Sequence, residues 1–367
     1  MLDWPEISRQ IADMLREREA GGRKLLGRAS RASGVWAEVR ERLGALDMKA
    51  ELSRTSWPVA RPLGDGGEPP ERPAQVSVLA ADGSQIYPDR HEVASCYLIH
   101  IGRVALHYGT GERPLLEGRP HLFFREEDFQ PGGRPLSQEA VSILRSVMER
   151  EALAEMAGAL PPERAMVALV DGPLGIWGVD QVPAWRARLD MAMGRLRELK
   201  VPVAGYVSHP GGQEVVGLLK LALCPEEAPD CGSCPRLEGP PCGEVDGVPD
   251  RLVFGRALRP KERSAAFRTE GVGFFYLDTG WEVARVEVPI WVAEDPALLA
   301  FVHACLLDQV EKGRGYPVAL SEAHEQAAVR GRDREQFYRM VEEALVRGGI
   351  KAERSRKGVS KRRVGGG

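Results

Sequence analysis

Two aspartates stand where an apolar run meets a turn signal. Val76 to Ala81 leads into Asp82-Gly83-Ser84, and Met166 to Val170 leads into Asp171-Gly172-Pro173. Each run reads as a buried β-strand. Each carboxylate therefore falls at a strand's exit, the edge where ligands collect in open sheets of parallel type. If the two strands are neighbours, the pair offers hard oxygen ligands to Mg²⁺ or Mn²⁺, which is what metal-dependent phosphodiester hydrolysis requires. A single Asp-Gly is an ordinary turn. The repetition of strand-then-Asp-Gly is what points to chemistry.

A third acid is sought on the helix predicted from Ser137 to Leu160. Ser137 is its N-cap, and Ala140, Val141, Leu144, Val147 and Met148 form one apolar stripe at about 100° per residue. Glu151 and Glu155 continue that stripe, whereas Glu149 projects to the opposite side. A carboxylate on a buried stripe is costly unless paired or metal-bound, which makes Glu151 the candidate. The alternative is that the helix becomes exposed after Met148.

A second constellation is Cys224, Cys231, Cys234 and Cys242, spaced C-x₆-C-x₂-C-x₇-C. Clustered cysteines in a cytosolic chain suggest a metal knuckle rather than disulfides. The pair Cys231/Cys234 suits two thiolates on one tetrahedral ion. Structural Zn²⁺, an iron–sulfur cluster and unligated thiols are the three readings. Cys96 and Cys305 sit in apolar runs and read as core.

The elements that must position these groups alternate. Helical periodicity covers residues 4–53, broken at Gly21-Gly22, and Pro- and Gly-rich chain covers 54–74. A β-meander follows over 93–109, then a turn-rich stretch over 110–136. Strand, helix and strand succeed one another from Ala165 to Leu223, which argues for α/β architecture. A hairpin is predicted over Phe274 to Leu277 and Trp281 to Val292. Helices are predicted from Pro296 to Lys312 and from Leu320 to Arg347.

The totals exclude other classes. The chain has 367 residues, 43% hydrophobic and 28% charged, with a formal net charge of −3. That is ordinary for a globular protein and gives no global basic field for nucleic acid. No apolar run is long enough to span a membrane, and the acidic N-terminus lacks a signal-peptide pattern, so the chain reads as cytoplasmic. No P-loop is present, so any motor activity must come from a partner. The basic stretch 351–367 reads as a flexible tail or as an electrostatic arm for phosphates.

Several of these segments resemble the NurA nucleases. Asp82 to His91 (DGSQIYPDRH) resembles their opening motif, and Leu169 to Leu174 (LVDGPL) their second Asp motif. Ala204 to Ser208, Arg285 to Pro289 and Tyr316 to Glu325 (YPVALSEAHE) follow in the family's order. The resemblance spans roughly residues 75–340. It implies a ribonuclease H-like mixed sheet flanked by helices over residues 75–350. The residues themselves add a helical segment at 1–54 and a Cys-rich insert at 224–248, and the insert is not part of the general family pattern. It implies a Mn²⁺-dependent deoxyribonuclease (Mg²⁺ being the substitute ion) with single-strand endonuclease and 5′-to-3′ exonuclease activity. The substrate would be single-stranded DNA and duplex ends, in end resection and double-strand break repair. The partners would be a HerA-type hexameric ATPase and a second copy of the chain. By motif, Asp82 and Asp171 are metal ligands, His324 is a metal ligand or proton donor, and Tyr316 orients a phosphate or base. The helix between the two aspartates should supply a Glu, and the stripe argument selects Glu151. Arg90 and Arg285 are candidate phosphate contacts. The competing reading is a non-catalytic adaptor that guides DNA to a ring ATPase; convergence of the carboxylates discriminates the two.

Overall fold

The computed structural model describes residues 2–69, 71–88, 96–234 and 239–349. The chain opens with α1 (Trp4–Val39), α2 (Leu43–Leu52), β1 (Arg61–Gly64), β2 (Val76–Ile86), β3 (Tyr97–Tyr108) and β4 (Leu115–Phe123). It continues through α3 (Gln138–Gly158), β5 (Met166–Asp171), α4 (Pro183–Glu198), β6 (Val203–Val207), α5 (Glu214–Leu223) and α6 (Asp250–Ala257). It closes with β7 (Ala266–Thr269), β8 (Val272–Asp278), β9 (Val283–Val288), α7 (Ile290–Ala293), α8 (Pro296–Lys312), α9 (Val318–Ala327) and α10 (Gly331–Arg347). The described residues fall into two compact units. Unit 1 holds the chain up to Glu71 and Gly205 to Leu307; unit 2 holds Arg72 to Ala204 and the chain from Asp308.

Unit 2 carries the strand order β5-β2-β3-β4. β2, β3 and β4 are antiparallel neighbours, and β5 joins β2 in parallel. This is the ribonuclease H-like arrangement that the resemblance implied: an antiparallel meander with its first strand central, a helix, then a parallel strand. β2 is apolar on both sides because it is covered on both. Leu79 and Ala81 pack in one cluster with Val141, Leu144 and Val147 of α3 and with Trp185 and Leu196 of α4, while α9 lies against β2 and β3. Ser137 caps α3 as expected, its Oγ accepting from Ala140 N at 3.0 Å. Contact with α9 is close enough to demand glycine. A Cβ on Gly102 of β3 would lie 2.2 Å from the Ala323 carbonyl oxygen.

Several boundaries differ from the sequence reading, among them the helix predicted from Leu320 to Arg347, which is two helices, α9 and α10. β2 does not end at Asp82 but runs on to Ile86, paired with β3 throughout. What ends near Asp82 is the partner strand β5. The turn-rich stretch 110–136 contains β4, whose residues are mostly exposed. An edge strand with so little burial has no apolar alternation to announce it.

Unit 1 is an antiparallel set in the order β1-β7-β8-β9-β6, with the helices α1, α2, α5 and α6. The predicted break at Gly21-Gly22 is absent: α1 is continuous for 36 residues. Each glycine costs about 1 kcal/mol in a helix, less than breaking the ladder in a segment where a Cβ would meet nothing. The interruption falls instead at a 3₁₀ turn, Arg40–Arg42. Ala29, Ala32, Val35, Trp36 and Val39 are buried with Val215, Leu218 and Phe254, so the N-terminal helices share unit 1's core. The expected hairpin is β8–β9, which Pro289 ends before α7. Cys96 and Cys305 are buried, as read. No helix among the described residues is long and apolar enough to cross a membrane.

Candidate active site

The parallel ladder answers the question that the two aspartates raised. Ala81 stands opposite Val170, so the next residue of each strand, Asp82 and Asp171, sit side by side, on strands about 4.8 Å apart. Asp82 occupies the point where β2 loses its parallel neighbour. At Asp171 β5 stops, because Gly172 adopts φ +82°, a conformation in which glycine alone is unstrained.

Both aspartates are held by α9 and the turn before it. Tyr316 Oη donates to Asp171 Oδ1 at 2.7 Å. His324 Nδ1 pairs with Asp82 Oδ2 at 2.9 Å, with the His324 side chain 71% exposed. A close approach at the preceding turn fixes Tyr316: a Cβ on Gly313 would fall 1.8 Å from its carbonyl oxygen.

The carboxylate that lines a cavity with both aspartates is Glu149, not Glu151, and this corrects the stripe argument's placement of the two side chains. Glu149 is 5% exposed and lines a cavity of about 330 Å³ together with Asp82, Asp171, Arg145, Arg150 and Trp177. Burial pushes its carboxyl up to about 7, against the pull of Arg150 and Arg145, and the charges of Asp82 and Asp171 push the same way. Glu151, by contrast, is held by Arg188 of α4, which donates to both its oxygens at 2.7 Å. Glu151 does not line the cavity. The physical reason is that α3 has two covered sides. Glu149 and Arg150 enter the interior as a pair, with Arg150 NH1 donating to Glu149 Oε2 at 2.8 Å. Mutual neutralisation lets two charges sit where a single apolar stripe predicts neither. Glu155 lies 3.5 Å from Arg103 and 3.7 Å from Arg119.

Arg145, Arg150 and Trp177 were missed as well. Arg145 approaches Glu149 Oε1 at 3.3 Å, an i,i+4 pair legible as such in the sequence, and donates to Gln85 Oε1 at 3.0 Å. Gly83 makes room for it: a Cβ there would lie 2.6 Å from Arg145 Cγ and 3.0 Å from Glu149 Oε1. The glycine of the first Asp-Gly thus serves close packing rather than a turn. Arg150 NH2 donates to the Pro173 carbonyl at 3.1 Å, tying α3 to the second Asp-Gly loop. Trp177 is 90% exposed; no periodicity signals such a residue.

Two predicted contacts are not brought to this site. Arg285 lies in unit 1, buried on β9. It is 2.9 Å from Glu214 and 2.8 Å from Glu287, with its guanidinium 3.8 Å from the Phe274 ring centroid. It is an internal ion-pair residue with no face for a phosphate. Arg90 lies outside the described residues, as does the basic tail 351–367.

The donor set fits a divalent cation. Three carboxylates and an imidazole are the ligands such ions take, and the crowding of three negative groups is the electrostatic demand a cation meets. Among the described residues no three His, Cys, Asp or Glu side chains already share a single-ion position. Each acid holds a protein partner instead, so a metal would have to compete for Glu149 with Arg145 and Arg150.

The sheet order and the acidic cleft together define a ribonuclease H-like protein with a strand-end carboxylate site. Residues 76–329, well over half of the chain, match the NurA domain. The chain belongs to the NurA family of nucleases. Its fold is similar to that of the NurA nuclease from Sulfolobus solfataricus, with TM-score 0.50 and 16% identity over 93% of this chain and 98% of that one. LC9-RNase H1, a type 1 RNase H with the type 2 active-site motif, aligns at TM-score 0.22 and 13% identity over 40% of this chain and 69% of that one, too distant to carry an argument. No curated protein matches the chain.

Proposed function

We propose that the chain is a metal-dependent DNA nuclease that hydrolyses phosphodiester bonds at Asp82, Glu149 and Asp171. One observation carries the reading: the parallel register that sets Asp82 beside Asp171, with Glu149 lining the same cavity. The ion is Mn²⁺, with Mg²⁺ as its substitute. Family membership supports the finer expectations. These are single-strand endonuclease and 5′-to-3′ exonuclease activity, a role in end resection and double-strand break repair, and work in the cytoplasm as a homodimer with a HerA-type hexameric ATPase.

Asp82, Asp171 and Glu149 would hold the ions, with His324 completing the shell. Cations there would supply nucleophile activation and neutralise charge on the departing oxygen. The chain's own groups do the rest. Tyr316 fixes the Asp171 carboxylate through its hydroxyl. His324, with Nδ1 engaged by Asp82, presents Nε2 outward, where it can ligate an ion or pass a proton to the leaving oxygen. Arg145 and Arg150 hold Glu149 in place and offset its charge. Trp177 on the cavity wall offers a face on which an unpaired base stacks.

The test is cleavage of end-labelled single- and double-stranded DNA in Mn²⁺ or Mg²⁺, with and without a HerA-type ATPase, by wild type and Asp82→Ala. Cleavage by the wild type and none by the variant is expected. Equal cleavage by both proteins sinks the assignment, and no cleavage by either with the ATPase present leaves the adaptor.

A further inference from the structure

The cysteine-rich insert takes no part in the acidic site, yet unit 1 builds it with care. Cys224 is the C-cap of α5. Cys231 opens a 3₁₀ turn that Cys234 closes, and Asp230 Oδ1 accepts from Gly232 N at 3.0 Å to set it. Cys242 lies in a second 3₁₀ turn, Pro241–Val245. The segment is pinned from outside: Arg54 N donates to the Pro229 carbonyl at 2.8 Å and Cys231 N to the Arg54 carbonyl at 2.9 Å. Arg31 Nε donates to Glu244 at 2.7 Å. None of the four cysteines is in a disulfide, and all are half-buried. All four line one cavity of about 280 Å³, with Trp57, Leu221 and several prolines among its other walls.

We propose that Cys224, Cys231, Cys234 and Cys242 are the four ligands of one iron–sulfur cluster. Thiolates are soft donors; they select iron–sulfur clusters or zinc over the hard ions suited to the acidic site. The room available favours the cluster over a single ion: all four thiols line one cavity. One water needs about 10–15 Å³ of such space, so 280 Å³ holds an inorganic core of several atoms. Four thiols on the walls of one cavity are the donor set that a cluster ligated at its corners requires. The energetics agree. The insert folds as short 3₁₀ turns and sends Val245 and Val248 into unit 1's core. Four ligand bonds supply folding free energy that a segment with so little apolar burial lacks.

The full chain, purified anaerobically, is assayed for iron, acid-labile sulfide and zinc, with its visible absorption. Between about two and four iron atoms with equal sulfide per chain are expected, with a brown colour lost in Cys231→Ser/Cys234→Ser. Limited proteolysis should cut within 224–248 faster in that variant than in the wild type, and faster in the wild type after iron is chelated. One zinc per chain without iron overturns the cluster, and neither metal overturns the site. The metal content of the wild type is decisive by itself, so a variant that fails to fold leaves the test intact.

Discussion

Replacing Asp82 or Asp171 by Asn keeps the side chain's shape while removing its charge, and cleavage should fall to background with the fold intact by circular dichroism. The comparison of Glu149 with Glu151 is sharper. Glu149→Gln should abolish or strongly reduce cleavage, because the residue lines the cavity with both aspartates. Glu151→Gln should leave cleavage at the wild-type rate and cost about 1 kcal/mol of stability at most, since it only loosens a half-exposed pair with Arg188. The reverse pattern would return the third acid to Glu151. His324→Ala should slow cleavage roughly 10- to 100-fold, the usual effect of removing a group that orients a ligand, or more if its imidazole moves the proton. Trp177→Ala should raise KM for single-stranded DNA while leaving kcat nearly unchanged, a split that steady-state kinetics on oligonucleotides resolves. Its loss of stacking is worth about 1–3 kcal/mol per base.

At the scale of elements, the position of α9 governs the site because it carries His324. Gly102→Val on β3 would drive a side chain into the Ala323 carbonyl. That should cost about 1–3 kcal/mol or more by urea unfolding, and cleavage should fall with it although the substitution touches no acid. In unit 1, α8 carries a buried imidazole. His303 Nε2 donates to the Lys261 carbonyl at 2.9 Å, and its buried Nδ1 has no hydrogen-bond partner among the described residues. Burial lowers its pKa to about 4. A depressed imidazole pKa means that the unfolded chain takes up the proton first as pH falls. The stability present above about pH 6.5 is therefore lost progressively down to about 4, at most about 3 kcal/mol. His303→Leu should flatten the decline of Tm over that window, and an unchanged slope would show that other groups set it.

For the whole molecule the proposals concern company. Sedimentation equilibrium should give twice the chain mass, and a HerA-type ATPase should raise the rate or extent of cleavage of duplex ends. A protein monomeric at micromolar concentration would remove the homodimer from the reading. With a net charge of −3, binding to DNA must come from local positive groups, not from the overall field. Arg285, enclosed by Glu214 and Glu287, is not one of them.

The sequence by itself determined the groups that motif and strand pattern carry. The two strand-borne aspartates, Tyr316 and His324 meet in one cleft, and the α/β alternation from Ala165 onward is the observed order. These are legible because a covered strand must be apolar throughout and a helix must keep one face apolar, whatever surrounds them. Tertiary structure alone decided the rest. It made Glu149, not Glu151, the acid of the cleft, because a buried guanidinium beside it offsets a cost that periodicity counts in full. It made Arg285 internal for the same reason. It carried β2 past Asp82, because pairing with β3 continues there and pairing with β5 stops. Each of these depends on which side chain or strand lies opposite, and that is a property of the assembled sheet and helices, which no local stretch of sequence contains.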